Sequence, residues 1–254
     1  VDSASFTPKI LWMQENEPAL FHKTARFLQS NAYLVWKLTG EYSQDYSQGY
    51  GYHFFNMAEK SWDEATAAKL NISLDLMAPL RHCHEIAGTV TKAAAAETGP
   101  IPGTPVVAGG LDAACCALGA GAIHPGQTQE QGGQAGGMSI VLDKPLIHPR
   151  LILGCHVMPD RWLLQGGTVG GGGILKWFNQ ELGHIEQQTS RANDASPFEI
   201  MSQEAERVKP GSGGLIFLPY MAGERSPIWD SKARGVFFGL SYDKTRAHLI
   251  RALM

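Results

Sequence analysis

The chain has 254 residues, a formal net charge of −3, and 21 basic and 24 acidic residues mixed along its length. Without a basic stripe or an apolar run near the ~20 residues of a membrane span, nucleic acid and membrane are excluded as expected partners. Four cysteines, Cys83, Cys115, Cys116 and Cys155, lack metal-ligand spacing and fit reduced thiols in the cytoplasm.

Residues 8–15 read as a helix, with Pro8 suited to a first helical position. Residues 18–38 carry apolar side chains at roughly helical spacing, with a break near Ser30-Asn31, and Thr39-Gly40-Glu41 stops the helix. Residues 41–56 are polar, aromatic and punctuated by glycine. Such a stretch could line a polyol site, where many directional hydrogen bonds are needed, or form a surface hairpin with packed tyrosines. Trp62 to Leu70 reads as a short helix. His82-Cys83-His84 offers alternate ligands on an extended chain but no fourth, so no metal site is expected there. Ile86 to Thr91 alternates like a strand, and Lys92 to Thr98 is an alanine-rich helix closed by Gly99.

Thr104 to Gly121 then runs strand, glycine turn, acid, helix. The run Val106-Val107-Ala108 predicts a strand buried on both faces. Gly109-Gly110 permits a sharp turn and close approach of a ligand. Asp112 follows at the mouth of a small-residue helix, where it can either cap backbone N–H groups or face a cleft.

His124-Pro125-Gly126 marks a domain boundary. Two glycine clusters follow, at 132–137 and 166–173. The first lies between two predicted strands and offers an arc of backbone N–H groups to an oxyanion. It is neither a P-loop nor a dinucleotide fingerprint, because a strand follows where those motifs need a helix. The second opens a helix, which suits an anion, although close helix–sheet packing also requires glycine. Cys155–Met158 and Trp162–Gln165 predict a hairpin around Pro159-Asp160. Residues 183–197 read as a polar loop and Phe198–Val208 as a helix. Leu215–Tyr220 and Val236–Ser241 read as strands, and a last helix begins at Thr245. The chain opens at Val1 and stops inside an amphipathic pattern at Met254, so it reads as a piece of a longer protein.

The stretch Phe217-Leu-Pro-Tyr-Met-Ala-Gly-Glu-Arg-Ser-Pro-Ile-Trp-Asp230, with Ala233-Arg-Gly-Val-Phe-Phe-Gly-Leu-Ser241 and Ala247-His-Leu-Ile-Arg-Ala252, resembles the C-terminal signature of the FGGY carbohydrate kinases. Within that family it is most similar to the xylulose kinase branch. Phe6–Pro18, Thr39-Gly-Glu41 with Asp45-Tyr-Ser47, and Gly103–Asp112 resemble further family segments, so the likeness covers nearly the whole chain. It implies an α/β, actin-like ATPase (ribonuclease-H-like) fold, with two domains flanking a cleft and both incomplete here. Residues 1–123 would be the second part of an N-terminal sugar-binding domain. Residues 124–254 would be the first part of a C-terminal nucleotide-binding domain.

The resemblance further implies ATP-dependent phosphorylation of a sugar or polyol hydroxyl, with a pentulose such as xylulose favoured. ATP and a sugar are the implied ligands, Mg²⁺ accompanies the ATP with its protein ligands outside this chain, and a homodimer is a possible assembly. By position Asp112 matches the catalytic base and a substrate contact, and Tyr46 a sugar-pocket residue. Gly133, Gln134, Gly136, Gly172 and Lys176 match nucleotide-contacting positions. Gln134-Ala135 stands where the family usually carries hydroxyl residues, and Ala113 where it usually carries Asn or Gln. These departures support a rival reading, a non-catalytic sugar- or nucleotide-binding relative or an inactive fragment. An actin-like ATPase without a sugar substrate is a third reading, which leaves the C-terminal signature unexplained.

Overall fold

A computed structural model describes residues 5–133 and 135–254. The chain divides into two compact units. The first runs through Gln129 and adds Ser139–His148 and Ile152–Leu164; the second comprises Glu130–Met138, Pro149–Leu151 and Gln165–Met254.

The first unit opens with α1 (Phe6–Asn16) and the short α2 (Pro18–Phe21), which starts on proline. The helical pattern read over 18–38 is interrupted for longer than Ser30-Asn31: α3 spans Ser30–Thr39 and ends on Gly40 at φ 79°. The strand β1 (Gln44–Asp45) pairs in parallel with β4 (Leu80–Arg81), placing Asp45 opposite Arg81. Between them a 3₁₀ turn covers Tyr46–Gly51, and β2 (Phe55–Asn56) pairs with β3 (Ser61–Trp62). Trp62 is thus a strand residue. The helix expected from it, α4 (Glu64–Lys69), starts later because the Asp63 carboxylate caps it by accepting from Thr66 N. Ile10, Tyr52, Phe54, Ala67, Ile72 and Met77 form the core that these elements share.

Strand β5 (Ile86–Thr89), helix α5 (Lys92–Thr98) and strand β6 (Pro105–Val107) follow as read, with Thr91 capping α5 and Gly99 closing it at φ 92°. The burial expected of β6 does not hold. It pairs only with β5 among the described residues, and Val107 remains 45% exposed, because a two-stranded sheet leaves a face uncovered. Helix α6 (Asp112–Gly119) buries Ala114 and Ala117 against Ala122, Val141 and Leu163.

Strands β7 (Thr128–Gly132), β8 (Gly136–Leu142), β9 (Ile152–Cys155) and β10 (Trp162–Thr168) form one sheet in the order β7-β8-β10-β9. β9 and β10 are neighbours, as the hairpin reading required, and Asp160 takes φ 53° at the turn.

The second unit carries α7 (Gly172–Leu182), α8 (His184–Asn193), α9 (Pro197–Glu206) and α10 (Arg246–Leu253), together with the antiparallel pair β11 (Ile216–Leu218) and β12 (Val236–Phe238). Helix α8 replaces most of the polar loop expected at 183–197. Its buried residue is Glu186 rather than an apolar side chain, so no hydrophobic period marks it. The Glu186 carboxylate receives two hydrogen bonds from Arg246, at 3.0 and 2.6 Å, and the Arg246 guanidinium lies 5.1 Å from the Phe178 ring centroid. Phe178, Met201, Ala205 and Ile250 make the core beside this pair.

Candidate functional site

In the first unit the chain around Asp112 is held from both sides of its glycine turn. Gly109 adopts φ 78°, which suits glycine alone. At Gly110 a Cβ would lie 2.6 Å from Val157 Cγ1 and 3.3 Å from Ser47 Oγ, so the backbone passes too close for any side chain. Leu111 occupies the N-cap position and Asp112 is the first helical residue, so Asp112 is not the N-cap. Its Oδ1 accepts from Ala113 N at 2.7 Å and the side chain is exposed. A carboxylate in a helix's first turn lies where the backbone favours negative charge.

Tyr46 is brought to the same region. Its neighbour Ser47 accepts the Leu111 N–H at 2.8 Å, so the two predicted substrate residues flank one hydrogen bond. The Tyr46 ring stands edge-on to His82, centroids 4.8 Å apart. Both line a crevice with Lys60, Cys155, His156 and Arg161, whose volume of about 10 Å³ holds no more than a water molecule. His156 is buried and satisfied: Ala122 O lies 3.0 Å from Nε2, and Nδ1 accepts from Met158 N at 2.9 Å. Burial lowers the His156 pKa and pushes the Cys83 thiol up to about 12, with the nearby Asp45 adding to the latter. Neither is poised to titrate as a nucleophile or acid near neutral pH.

In the second unit the two glycine clusters meet. Gly172 N–H donates to Gly133 O at 2.7 Å, and Gly133 N–H donates to Ala135 O at 2.9 Å. The arc of free donors expected at Gly133 is therefore partly consumed within the cluster. Gly136 packs beside Thr168, where a Cβ would come within 3.0 Å of Thr168 Cγ2. Gln134 lies outside the described residues. Lys176 is exposed on α7.

Next to the cluster is a cavity of about 390 Å³, lined by Val169, Gly170, Gly173, Ile174, Trp177, Met221 and Ala222. Its size and apolar lining suit a small organic ligand. Sequence reading missed Glu224, which bonds Val169 in the cavity wall. This buried carboxylate accepts from Thr168 Oγ1 at 2.6 Å, Val169 N at 3.0 Å and Arg225 N at 2.7 Å, fixing the β10–α7 turn. The only prior signal was its place inside the Phe217–Asp230 stretch.

Packing at the turn makes a sharp prediction. A Cβ on Gly171 would lie 2.7 Å from Ala135 C and 3.0 Å from Gly133 O, both rigid backbone. Gly171→Ala is expected to cost about 1–3 kcal/mol, read by urea unfolding, as overpacking does. Gly133→Ala, whose nearest atom would be 3.8 Å away, is expected to cost less than about 1 kcal/mol in the same assay.

Two family models match the chain: the N-terminal domain of the FGGY family of carbohydrate kinases over residues 2–119, and the C-terminal domain of the same family over residues 141–254. The chain belongs to the FGGY family of carbohydrate kinases. It is 32% identical over 247 residues to a gluconokinase of Bacillus subtilis, covering 97% of this chain and 48% of that protein. It is 34% identical over 252 residues to a xylulose kinase of the same organism, with the same coverage of 97% and 48%. The crystal structure of a xylulose kinase from Rhodospirillum rubrum superposes with a TM-score of 0.81 at 32% identity, over 97% of this chain and 48% of that one. The chain therefore spans about half the length of the curated relatives it matches. The fold is the actin-like ATPase fold of the FGGY sugar kinases, as the resemblance implied.

No group of three or more His, Cys, Asp or Glu side chains able to hold a metal exists among the described residues. No described helix is long and apolar enough to cross a membrane.

Proposed function

We propose that this chain is part of an ATP-dependent kinase acting on a hydroxyl of a sugar or polyol, a pentulose such as xylulose being favoured. The observation that carries the reading is the exposed Asp112 carboxylate, at the head of α6 behind a glycine turn, in a chain of the FGGY family. Xylulose kinases and gluconokinases are both among its relatives, so a sugar acid belongs in any substrate panel.

In this mechanism the sugar hydroxyl oxygen forms a bond to the γ-phosphorus of ATP while the bond from that phosphorus to the β–γ bridging oxygen breaks. ADP leaves and the hydroxyl proton passes to Asp112. A carboxylate is a far weaker base than an alkoxide, so Asp112 acts by orienting the hydroxyl and accepting its proton late. That suits a loose phosphoryl transfer governed by positioning. Tyr46 contributes to the sugar side. Gly133, Gln134, Gly136, Gly172 and Lys176 are assigned to the nucleotide side, and Gly172 adjoins Gly173 in the wall of the 390 Å³ cavity. The Mg²⁺ that accompanies ATP takes most of its ligands from phosphate and water, and no residue of this chain is assigned to it. Residues 1–123 belong on this reading to the sugar-binding domain and 124–254 to the nucleotide-binding domain, of a protein working in the cytoplasm.

A non-catalytic binder is the second reading. Ala113 and Gln134-Ala135 favour it, and so does the consumption of the Gly133 and Gly172 N–H groups within the cluster. ADP release by the full-length natural protein, with pentuloses, hexuloses, polyols and gluconate, separates the readings. Sugar-dependent release is expected. Sugar-independent release would indicate an ATPase, and no release a binder.

A further inference from the structure

Asp45 is fully buried, and its carboxylate accepts hydrogen bonds from Asn31, Gln44, Ser47, Gln48 and Cys83, of which the Asn31 and Ser47 side chains also bond the Asp112 turn. Oδ2 accepts from Asn31 Nδ2 at 2.8 Å and from Gln44 Nε2 at 3.3 Å. Oδ1 accepts from Ser47 Oγ and from Gln48 N at 3.1 Å. Asn31 has a second amide hydrogen, and it reaches Ala108 O at 3.3 Å, at the strand end before Gly109. Its Oδ1 is taken by Gln48 Nε2 at 2.7 Å, which fixes the amide orientation. Ser47 has one hydroxyl hydrogen. Spent on Asp45, it leaves the oxygen as an acceptor, and that oxygen receives Leu111 N–H at 2.8 Å. One carboxylate thus sets two side chains that grip the turn on either side, at Ala108 and at Leu111.

We propose that Asp45 is a positioning residue for Asp112: through Asn31 and Ser47 it fixes the backbone from Ala108 to Leu111, and so the direction in which the Asp112 carboxylate points. The inference rests on the kinase reading for its catalytic consequence, but its geometry stands alone. Asp45 touches no reacting atom. Burying a carboxylate is costly, and a cluster with all its donors matched is the arrangement that tolerates it. A core with only a structural demand at this position would be served by apolar side chains.

The test uses Ser47→Ala and, as a variant with less risk to folding because the side chain is half-buried, Asn31→Ala. Both are made in the full-length natural protein. Amide hydrogen exchange is read residue by residue, and steady-state kinetics are measured with the sugar identified by the ADP-release panel. The expected result is exchange at Leu111 at least tenfold faster in Ser47→Ala, with kcat down about 10- to 100-fold in either variant and KM for ATP and sugar within threefold. A merely structural role would lower the unfolding midpoint and leave kcat of the folded enzyme unchanged. Unchanged exchange at Leu111 overturns the hub, and so does a kcat within threefold of wild type in both variants. A wild-type protein without sugar-dependent turnover overturns the kinase reading and the catalytic half of this proposal, whereas exchange at Leu111 still judges the brace.

Discussion

Asp112→Asn is expected to lower sugar-dependent turnover by about 10³-fold or more while ATP and sugar still bind, a loss within the range for removing a general base and its orienting contact. Asparagine keeps the size of the side chain and can keep the bond from Ala113 N, so α6 should start as before. What it loses is the capacity to take a proton and the charge that orients the hydroxyl. Calorimetric binding of sugar and of ATP, beside kcat from coupled ADP release, checks the split. Turnover within tenfold of wild type would show that another group is the base. The effect should exceed that of Ser47→Ala, because a displaced carboxylate still accepts protons whereas an amide does not.

The largest expected effect on stability lies in the second unit. Arg246→Met leaves Glu186, whose side chain is 1% exposed, without its bidentate partner and facing Glu204. Breaking a buried pair from one side costs about 3–5 kcal/mol; the lower end applies here because Arg246 is partly exposed. Urea unfolding followed by the fluorescence of Trp177, which packs on the same core, reports it.

In the wild type, burial pushes the Glu186 carboxyl up, but the Arg246 hydrogen bonds, a backbone N–H bond, a bond from Glu204 and the Arg246 charge together hold the group below its ordinary 4.5. That stabilisation is present above pH ~4.5 and fades as pH falls through the lower folded value. Glu204 is raised by burial and by the Glu186 charge, so its contribution runs the other way and weakens as pH rises through its folded value. With Arg246 gone, the two carboxyls face each other with only the Arg207 charge acting on Glu204, and both are expected to be raised. The deficit of Arg246→Met should therefore shrink between pH 7 and pH 5. A deficit that grows on acidification would show that the stranded Glu186 charge is not its cause. The double variant Glu186→Gln, Arg246→Met should recover most of the loss, since it removes the stranded charge.

Chemical punctuation made much of the fold legible from sequence. Thr91 and Gly99 bracket α5 with a side-chain cap and a left-handed glycine, and both are visible as residue types. The strand, turn and helix around Asp112 were marked by β-branched residues, two glycines and a small-residue run. The two glycine clusters were legible singly, but their meeting through Gly172 N–H and Gly133 O was not, since nothing in either cluster names its partner. Helix α8 escaped because its buried position is an ion pair with a residue sixty positions away, which carries no apolar period. The exposure of Val107 escaped because composition shows that a strand is apolar and not whether a neighbour covers it.

The site divides the same way. Asp112 and Tyr46 are assigned by motif, but the Asp45 hub carries no motif, because a buried polar cluster is assembled from Asn31, Ser47, Cys83 and Ala108, scattered over some eighty positions. Asp45 itself is raised above the ordinary carboxylate range by burial, with the bonds from Ser47, Asn31 and Gln48 pulling it back. Glu224 was likewise hidden, since its three donors lie in the chain as far back as Thr168.

On this mechanism Asp112 receives the proton of the hydroxyl that is phosphorylated. A crystal structure of the full-length natural protein with its sugar and a non-hydrolysable ATP analogue tests it most directly. The acceptor hydroxyl is expected at about 2.6–3.2 Å from an Asp112 carboxylate oxygen and in line with the γ-phosphorus. A sugar hydroxyl in line with that phosphorus but held by a different carboxylate or by a histidine would contradict it.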